Sequence, residues 1–361
     1  MVDAVSLPAV RVLVTGGAGF IGSNVAVALA RRHAGWEVVA ADNLYRRGSE
    51  LTLERLREAG VTFVHADVRD QDDLDRVGAI DALIECSAEP SVLATAGGGR
   101  RFAVKTNLLG AHHCLELAAR HTAQVIFLST SRVYPVAALN ELAYEENETR
   151  FVLADKQPVP GASAEGIAEN FPLEGARTLY GATKLAAELL VAEYAEQFGL
   201  ATTVNRCGVV AGPWQLGRVD QGVFTYWLLA FYLRRELNYI GYGGTGKQVR
   251  DLLHVDDLID LIDEQLAAPE SWKGITTNVG GGPECSLSLR ETTEICRELT
   301  GNEVEIGSIP EPRAGDVPIY VSDCRALFGR TDWRPRRSAR EILVDTYTWI
   351  DDHESLLRQA I

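Results

Sequence analysis

The chain has 361 residues, 46% of them hydrophobic and 24% charged, enough to bury the core of one large domain or of two joined ones. Its net charge of −15 argues against nucleic acid or an anionic membrane as the main partner. Six cysteines without a Cys-x-x-Cys pair suit neither a zinc site nor a disulfide framework, so no metal is expected and the thiols read as reduced core residues of a cytoplasmic protein.

Residues 1–8 lack a basic region followed by an apolar stretch, and no apolar run reaches the length of a membrane span. From residue 10 onward, short apolar runs alternate with amphipathic stretches. Strands are predicted at 10–15, 37–41, 61–66, 82–86, 124–129 and 201–206, each short and rich in β-branched residues. Helices are predicted between them at 19–33, 50–59, 102–121 and 177–198. This alternation implies an α/β fold with a doubly wound parallel sheet of the Rossmann type, whose ligand sits at the carboxyl ends of the strands. After about residue 208 the rhythm changes. An aromatic-rich helix is expected at 222–235, further helices at 255–267, 287–300 and 338–356, and a glycine-rich turn at 278–282. Residues 135–176 are polar, irregular and without a clear period, which suggests a functional lid or a disordered loop. The expected organisation is one domain from 9–208 with about 253–282 and a smaller one from 209–252 with 283–361.

The first strand runs directly into Thr15-Gly16-Gly17-Ala18-Gly19-Phe20-Ile21-Gly22. A strand, this glycine spacing and then a helix form the context of a dinucleotide fingerprint. Gly16 permits a tight turn, Gly19 lets the backbone approach a pyrophosphate, and Gly22 lets the helix pack closely. The free N–H groups at the helix start then face phosphate charge. Asp42 ends the second strand, twenty residues after Gly22. Its carboxylate suits ribose hydroxyls and repels a 2′-phosphate, which favours NAD over NADP, although Arg46 and Arg47 follow closely. Asp67 ends the third strand and either contacts the adenine or caps the next helix. Residues 86–88 end the fourth strand and are expected to line the cofactor groove.

Tyr180 and Lys184 stand four apart on a predicted helix and share a face. Thr130 follows the fifth strand at the edge where the site belongs. A neighbouring ammonium stabilises a phenolate, so Tyr180 is the expected proton acceptor, with Thr130 orienting the same substrate hydroxyl. A Tyr-x-x-x-Lys pair by itself is weak. Behind a dinucleotide loop and a Ser-Thr-ended strand it gains weight.

Four segments carry a resemblance: Thr15 to Asn24 (TGGAGFIGSN), Asp42-Asn43-Leu44, Ser129 to Tyr134 (STSRVY) and Tyr180 to Lys184 (YGATK). The chain resembles the extended short-chain dehydrogenase/reductases that modify nucleotide sugars, over nearly its whole length. That resemblance implies a tightly held NAD, a nucleotide-diphosphate sugar as substrate and a homodimer formed through helices 102–121 and 177–198. It implies Thr130, Tyr180 and Lys184 as the catalytic set, and cofactor contacts from Gly16, Gly19, Phe20, Ile21, Gly22, Asp42, Asn43, Asp67, Val68, Ser87, Ala88, Asn107 and Ser129 as well as Tyr180 and Lys184. It also implies substrate contacts from Arg132, Gln221, Arg250 and Arg313. Arg250 and Arg313 would meet the pyrophosphate, or instead form salt bridges with acidic neighbours such as Asp251 or Asp316. His254 is expected to order the Arg250 strand. Sugar 4,6-dehydratases need an Asp-Glu pair directly after the catalytic Thr, where this chain has Ser131 and Arg132. The segments 89–93 (EPSVL), 129–134, Asp220-Gln221-Gly222 and 246–254 (GKQVRDLLH) are similar to those of 2-epimerases acting on a CDP-linked sugar. A 4-epimerase, a dehydratase or decarboxylase, and a non-catalytic NAD-binding regulator are the alternatives. Three features depart from the relatives: Glu85-Cys86-Ser87 in place of an apolar set, Pro135 in place of a Gly, and fifty positions between Thr130 and Tyr180.

Overall fold

The computed structural model describes residues 10–91, 98–217 and 221–360. The N-terminal segment, Val92 and Leu93 of the 89–93 motif, and Asp220 lie outside them.

The elements of the first layer follow the predicted alternation. They are β1 (Arg11–Thr15), α1 (Phe20–Arg32), β2 (Glu37–Asp42), α2 (Leu53–Glu58), β3 (Thr62–His65), α3 (Gln71–Asp75) and β4 (Ala82–Glu85). Next comes α4, in which Arg100–Val104, Lys105–Leu109 and Gly110–His121 run on as one helix with a π-helical middle. Then follow β5 (Gln124–Thr130), α5 (Leu179–Phe198), β6 (Thr202–Cys207), α6 (Val255–Ala267) and β7 (Ile275–Val279). The seven strands form one sheet, all parallel, in the order β7-β6-β5-β4-β1-β2-β3. Val12, Leu13 and Val14 are fully buried, as expected for a parallel strand covered on both faces. One face packs under α1 and α6 through Val25, Leu29, Leu258 and Ile262. The other packs under α4 and α5 through Leu115, Ala118, Ala187 and Val191.

The sheet order reverses between β1 and β4. A ligand crevice opens at such a switch point, beyond the carboxyl ends. In register there are Thr15 beside Ala41 and Glu85, and Thr130 beside Cys207. The glycine loop, Asp42, Glu85 and Thr130 therefore emerge along one edge.

β7 was not expected as a strand. Its residues (ITTNV) lack an apolar pattern, and the pairing with β6 and side-chain partners for Asn278 make them strand. The glycine turn begins after it, at Gly280. The 222–235 helix is shorter than predicted, Val223–Tyr232, and Leu237–Ile240 that follows is a strand paired with Ile306–Ile309. The predicted 287–300 helix starts at Leu289, after the strand Ser286–Ser288, on a Ser288–Glu291 capping box. The last helix divides into Ala339–Asp352 and Glu354–Ala360.

A smaller four-stranded sheet carries the other layer. Its central strand, Val249–His254, runs parallel to Val209–Ala211 and Ile319–Tyr320 and antiparallel to Ser286–Ser288. The aromatic helix Val223–Tyr232 is core here. Trp227 and Phe231 are buried in a cluster with Trp349, and Trp227 stacks on Tyr239 at 5.6 Å.

Residues 135–176 do not form the irregular lid expected of them. They contain the helix Val136–Asn140 and two small antiparallel pairs, Tyr144–Glu146 with Phe151–Leu153 and Ala162–Ser163 with Gly166–Ile167. The segment is a strap across both layers. Phe151 N–H donates to Lys247 O (3.0 Å) and Ile167 N–H to Val321 O (2.8 Å). Asn278 at the end of β7 donates to Ile167 O (2.8 Å).

Candidate active site

The glycine loop is built so tightly that side chains do not fit. A Cβ on Gly22 would lie 2.2 Å from Gly16 O, and one on Gly16 (φ +62°) would lie 2.9 Å from Cys86 O. α1 starts with Gly19 as its cap, without a side-chain cap or an acid in its first turn, so its leading N–H groups suit an anion. Phe20 and Ile21 open that helix, partly buried against the core. Asp42 accepts from Ala18 N–H (3.1 Å) and Leu44 N–H (2.8 Å), and burial pushes its carboxyl up. Each carboxylate oxygen keeps a second lone pair for a hydroxyl donor. Asn43 donates to Asp67 (3.0 Å), and the Arg69 guanidinium holds the Asp67 carboxyl down at about 2. Asp67 does not cap α3. Asp70 does, accepting from Asp72 N–H (3.0 Å). Val68 packs against the closest approach of α4, where a Cβ on Gly110 would meet it at 2.7 Å.

Beyond β4, Ser87 is buried and Ala88 exposed. Asn107 sits in the π-helical turn of α4 and joins two elements. It accepts from Glu89 N–H (2.7 Å) and donates to Glu89 O (3.1 Å) and to Thr183 Oγ1 (3.0 Å) on α5. A π turn breaks the ordinary register of a helix and often marks a functional site. Here it delivers one side chain to both the β4 loop and the helix of Tyr180.

Thr130 ends β5 and caps the turn Ser131–Val133 by accepting from Arg132 N–H (3.2 Å). Its hydroxyl also stands close enough to the Tyr180 phenol to favour the ionised form. α5 begins at Leu179 on the cap Thr178. Gly181 then presses against the Thr130 turn, where a Cβ would stand 2.0 Å from Arg132 O. The contact fixes Tyr180 over Thr130. Burial pushes the Tyr180 phenol up to about 12, while the Thr130 hydrogen bond and the Arg132 charge pull it down. Lys184 does not face Tyr180 as a free ammonium. Its Nζ lies 3.3 Å from Glu85 Oε2 and 3.8 Å from the centroid of the Phe127 ring. Sequence reasoning missed this partner, although Glu85 had stood out as a departure.

Ser129 points elsewhere: its hydroxyl donates to Glu188, one turn beyond Lys184 on α5. Glu188 pairs with Arg206 (2.7 Å), Arg206 donates to Tyr134 Oη (3.3 Å), and Tyr134 to Asn278 Oδ1 (2.7 Å). This buried chain ties β5, α5, β6 and β7 together under the catalytic edge. The spacing of Lys184 and Glu188 is its only sequence signal.

The substrate candidates divide. Arg132 donates to Gly315 O (2.9 Å) and lies close enough to Arg250 for their charges to repel. Arg250 is held by Asp316 (2.9 Å) and Val317 O (2.7 Å), so two guanidiniums stand near Tyr180. The acidic neighbour is Asp316, and Asp251 is turned into the core. Tyr242, which the sequence had not singled out, braces the same segment by donating to Asp316 O (3.0 Å). Arg313 lies on the exposed shoulder of that turn, and Gln221 is half-buried just before the aromatic helix. His254 caps α6, accepting from Asp256 N–H (3.0 Å). Among the described residues no His/Cys/Asp/Glu group could hold a metal, the cysteines are free, and no helix is long and apolar enough to cross a membrane.

Residues 12–280 match the NAD dependent epimerase/dehydratase family. The chain is similar to the CDP-paratose 2-epimerase of Salmonella typhi, with 31% identity over 94% of this chain and 98% of that protein. It is also similar to a dTDP-glucose 4,6-dehydratase of Streptomyces niveus, with 29% identity over 96% of this chain and 94% of that one. Among solved structures it is similar to the UDP-glucose 4-epimerase of Thermus thermophilus in complex with NAD, with a TM-score of 0.74 and 26% identity, covering 94% of this chain and 99% of that one.

Proposed function

Because the chain belongs to the NAD dependent epimerase/dehydratase family, we propose that it inverts a ring carbon of a nucleotide-linked sugar, most specifically carbon 2. The observation that carries this reading is the Thr130 turn. A hydroxyl and a phenol meet there, and the next two residues are Ser131 and Arg132 rather than the acid and base that dehydration requires. The likeness to a 2-epimerase over nearly the whole chain favours carbon 2. The likeness to a 4-epimerase keeps carbon 4 as the second reading.

NAD is the cofactor, and the glycine cradle, the uncapped start of α1 and Asp42 fit its pyrophosphate and ribose. When bound, NAD supplies a hydride acceptor and then a hydride donor. Tyr180 takes the hydroxyl proton as the carbinol carbon becomes a carbonyl, and gives it back when the carbonyl is reduced on its other face. Thr130 orients that oxygen. Arg250, with Arg313 and Arg132, holds the diphosphate, since a planar guanidinium matches phosphate oxygens. With the diphosphate held there, the keto sugar can turn over without leaving the cleft. Gln221 is assigned to the sugar or phosphate side. In this reading residues 9–208 with 253–282 form the NAD layer and 209–252 with 283–361 the nucleotide-sugar layer. The working protein is a homodimer in the cytoplasm.

The test is incubation of the purified protein, without added cofactor, with CDP-, UDP- and GDP-hexoses in heavy water, followed by proton NMR. Inversion at carbon 2 without solvent deuterium at that carbon is expected. Inversion at carbon 4 establishes the second reading. A persistent keto product or net dehydration overturns both.

A further inference from the structure

The strand Leu237–Ile240 leads into Gly241-Tyr242-Gly243-Gly244, and all four residues are left-handed, at φ +89°, +50°, +80° and +65°. Glycine takes this backbone freely, whereas a bulky side chain is an outlier there, kept only where its surroundings hold it. Tyrosine is therefore the exception in this run, and its contacts say what holds it. The loop itself is sewn to the stretch before the 313–317 turn. Gly241 N–H donates to Ile309 O (2.8 Å), Gly243 N–H to Pro310 O (3.2 Å) and the Ser308 hydroxyl to Gly244 O (3.0 Å). From that base the Tyr242 ring meets Phe151 of the strap edge-on, 6.4 Å between centroids. Its hydroxyl donates to Asp316 O (3.0 Å) and reaches Asn140 Oδ1 (3.1 Å).

The turn that Tyr242 reaches seats both guanidiniums. Gly315 O accepts from Arg132 (2.9 Å), Asp316 O from Tyr242 and Val317 O from Arg250 (2.7 Å), so three consecutive carbonyls each take one side chain. The Asp316 carboxylate pairs with Arg250 as well (2.9 Å). Arg132 and Arg250 repel each other, with the one carboxylate of Asp316 close to both, so the frame that seats them has to be stiff. Burial, with Asp316 second, pushes the Tyr242 phenol up to about 12 against the pull of Arg250 and Arg132, so at neutral pH its proton stays in place for the carbonyl. We propose that Tyr242 is a positioning residue for the diphosphate: its hydroxyl fixes the middle carbonyl of the 315–317 turn, and thereby the spacing at which Arg132 and Arg250 meet two phosphate groups. The strained backbone at Tyr242 is what aims that hydroxyl.

This inference rests on the reading that Arg132 and Arg250 hold the diphosphate, and its first test needs no sugar. Calorimetry of the NAD-bound holoenzyme with CDP, UDP, GDP and dTDP names the nucleotide that binds most tightly. With that nucleotide, Arg250→Met is expected to raise Kd about 100-fold. Tyr242→Phe, which keeps the ring, is expected to raise it about tenfold with the NAD content unchanged. Because Tyr242 acts through the turn, the double variant should stay within about threefold of Arg250→Met alone. On the sugar nucleotide that the hexose panel identifies, Tyr242→Phe lowers kcat/KM about tenfold and does so through KM, a split that a general loosening of the fold would not give. An unchanged Kd in a folded, NAD-bound Tyr242→Phe overturns the proposal. Fully additive losses overturn it too, since Tyr242 would then touch the ligand itself. Should the Phe variant not fold, Tyr242→Gly, which relieves the backbone, is expected to show the same loss of affinity, and an unchanged Kd there counts equally against the proposal. A parent that binds none of the four nucleotides, or an Arg250→Met that binds as the parent does, overturns the diphosphate reading and this inference with it. Loss in Arg250→Met without loss in Tyr242→Phe removes only Tyr242 and leaves that reading standing.

Discussion

At Tyr180 burial opposes the neighbouring hydrogen bond and charge, and burial prevails: the phenol is pushed up to about 12 despite Thr130 and Arg132. A phenol so protonated is an acid until substrate and cofactor complete its surroundings, which suits a group that must both take and return a proton. Tyr180→Phe should therefore keep the fold and the bound NAD while losing about 10²- to 10⁴-fold in turnover, measured on the sugar nucleotide that the panel identifies. An active Phe variant would remove Tyr180 from the mechanism. At this scale the sequence was readable wherever spacing is local. Tyr180 and Lys184 are one helical turn apart, and Gly16 to Gly22 form one loop. It was silent on Glu85 with Lys184, a pair 99 positions apart that only the fold brings together, whereas the ion pair of Arg250 with Asp316 was one of the alternatives it offered. Of the two roles offered for Asp67, the helix cap falls to Asp70, which stands next to α3 and accepts from Asp72 N–H.

The helix α5 shows how an element aims a residue. It runs twenty residues from the Thr178 cap to a left-handed Gly199, and its first turn places Tyr180 against the Thr130 turn. The Thr178 hydroxyl accepts from Gly181 N–H (3.2 Å), so the cap also holds the residue that presses on Arg132. Thr178→Ala is expected to cost about 1 kcal/mol of stability, read as a lower midpoint in guanidinium with an unchanged slope. No loss would mean that α5 is held by packing alone. Long amphipathic elements were legible because burial repeats along them. The strap of 135–176 was not, because its strands are two or three residues long and their partners lie in distant parts of the chain. β7 was hidden by its polar residues, of which Asn278 is satisfied by buried hydrogen bonds to the strap.

For the whole molecule, alternation alone pointed to a parallel sheet with its site at the carboxyl edge, and the switch between β1 and β4 lies there. The net charge of −15 coexists with a local pair of guanidiniums, Arg132 and Arg250, and with a helix start that suits an anion. On its outer face α5 leaves Leu189 and Phe198 about two thirds exposed, at 65% and 64%, which supports the homodimer proposed above. Leu189→Glu is expected to shift sedimentation from dimer to monomer at micromolar concentration, and a dimer that persists would place the contact elsewhere. The seventh strand carries one more implication. α6 and β7 complete the first layer only after the chain has passed through a first part of the second, residues 209–252. During synthesis the β6 edge and the underside of α1 must therefore wait uncovered while some seventy more residues leave the ribosome. A nascent chain of this design can close its first sheet only once residue 279 has emerged, and until then the β6 edge stays unpaired.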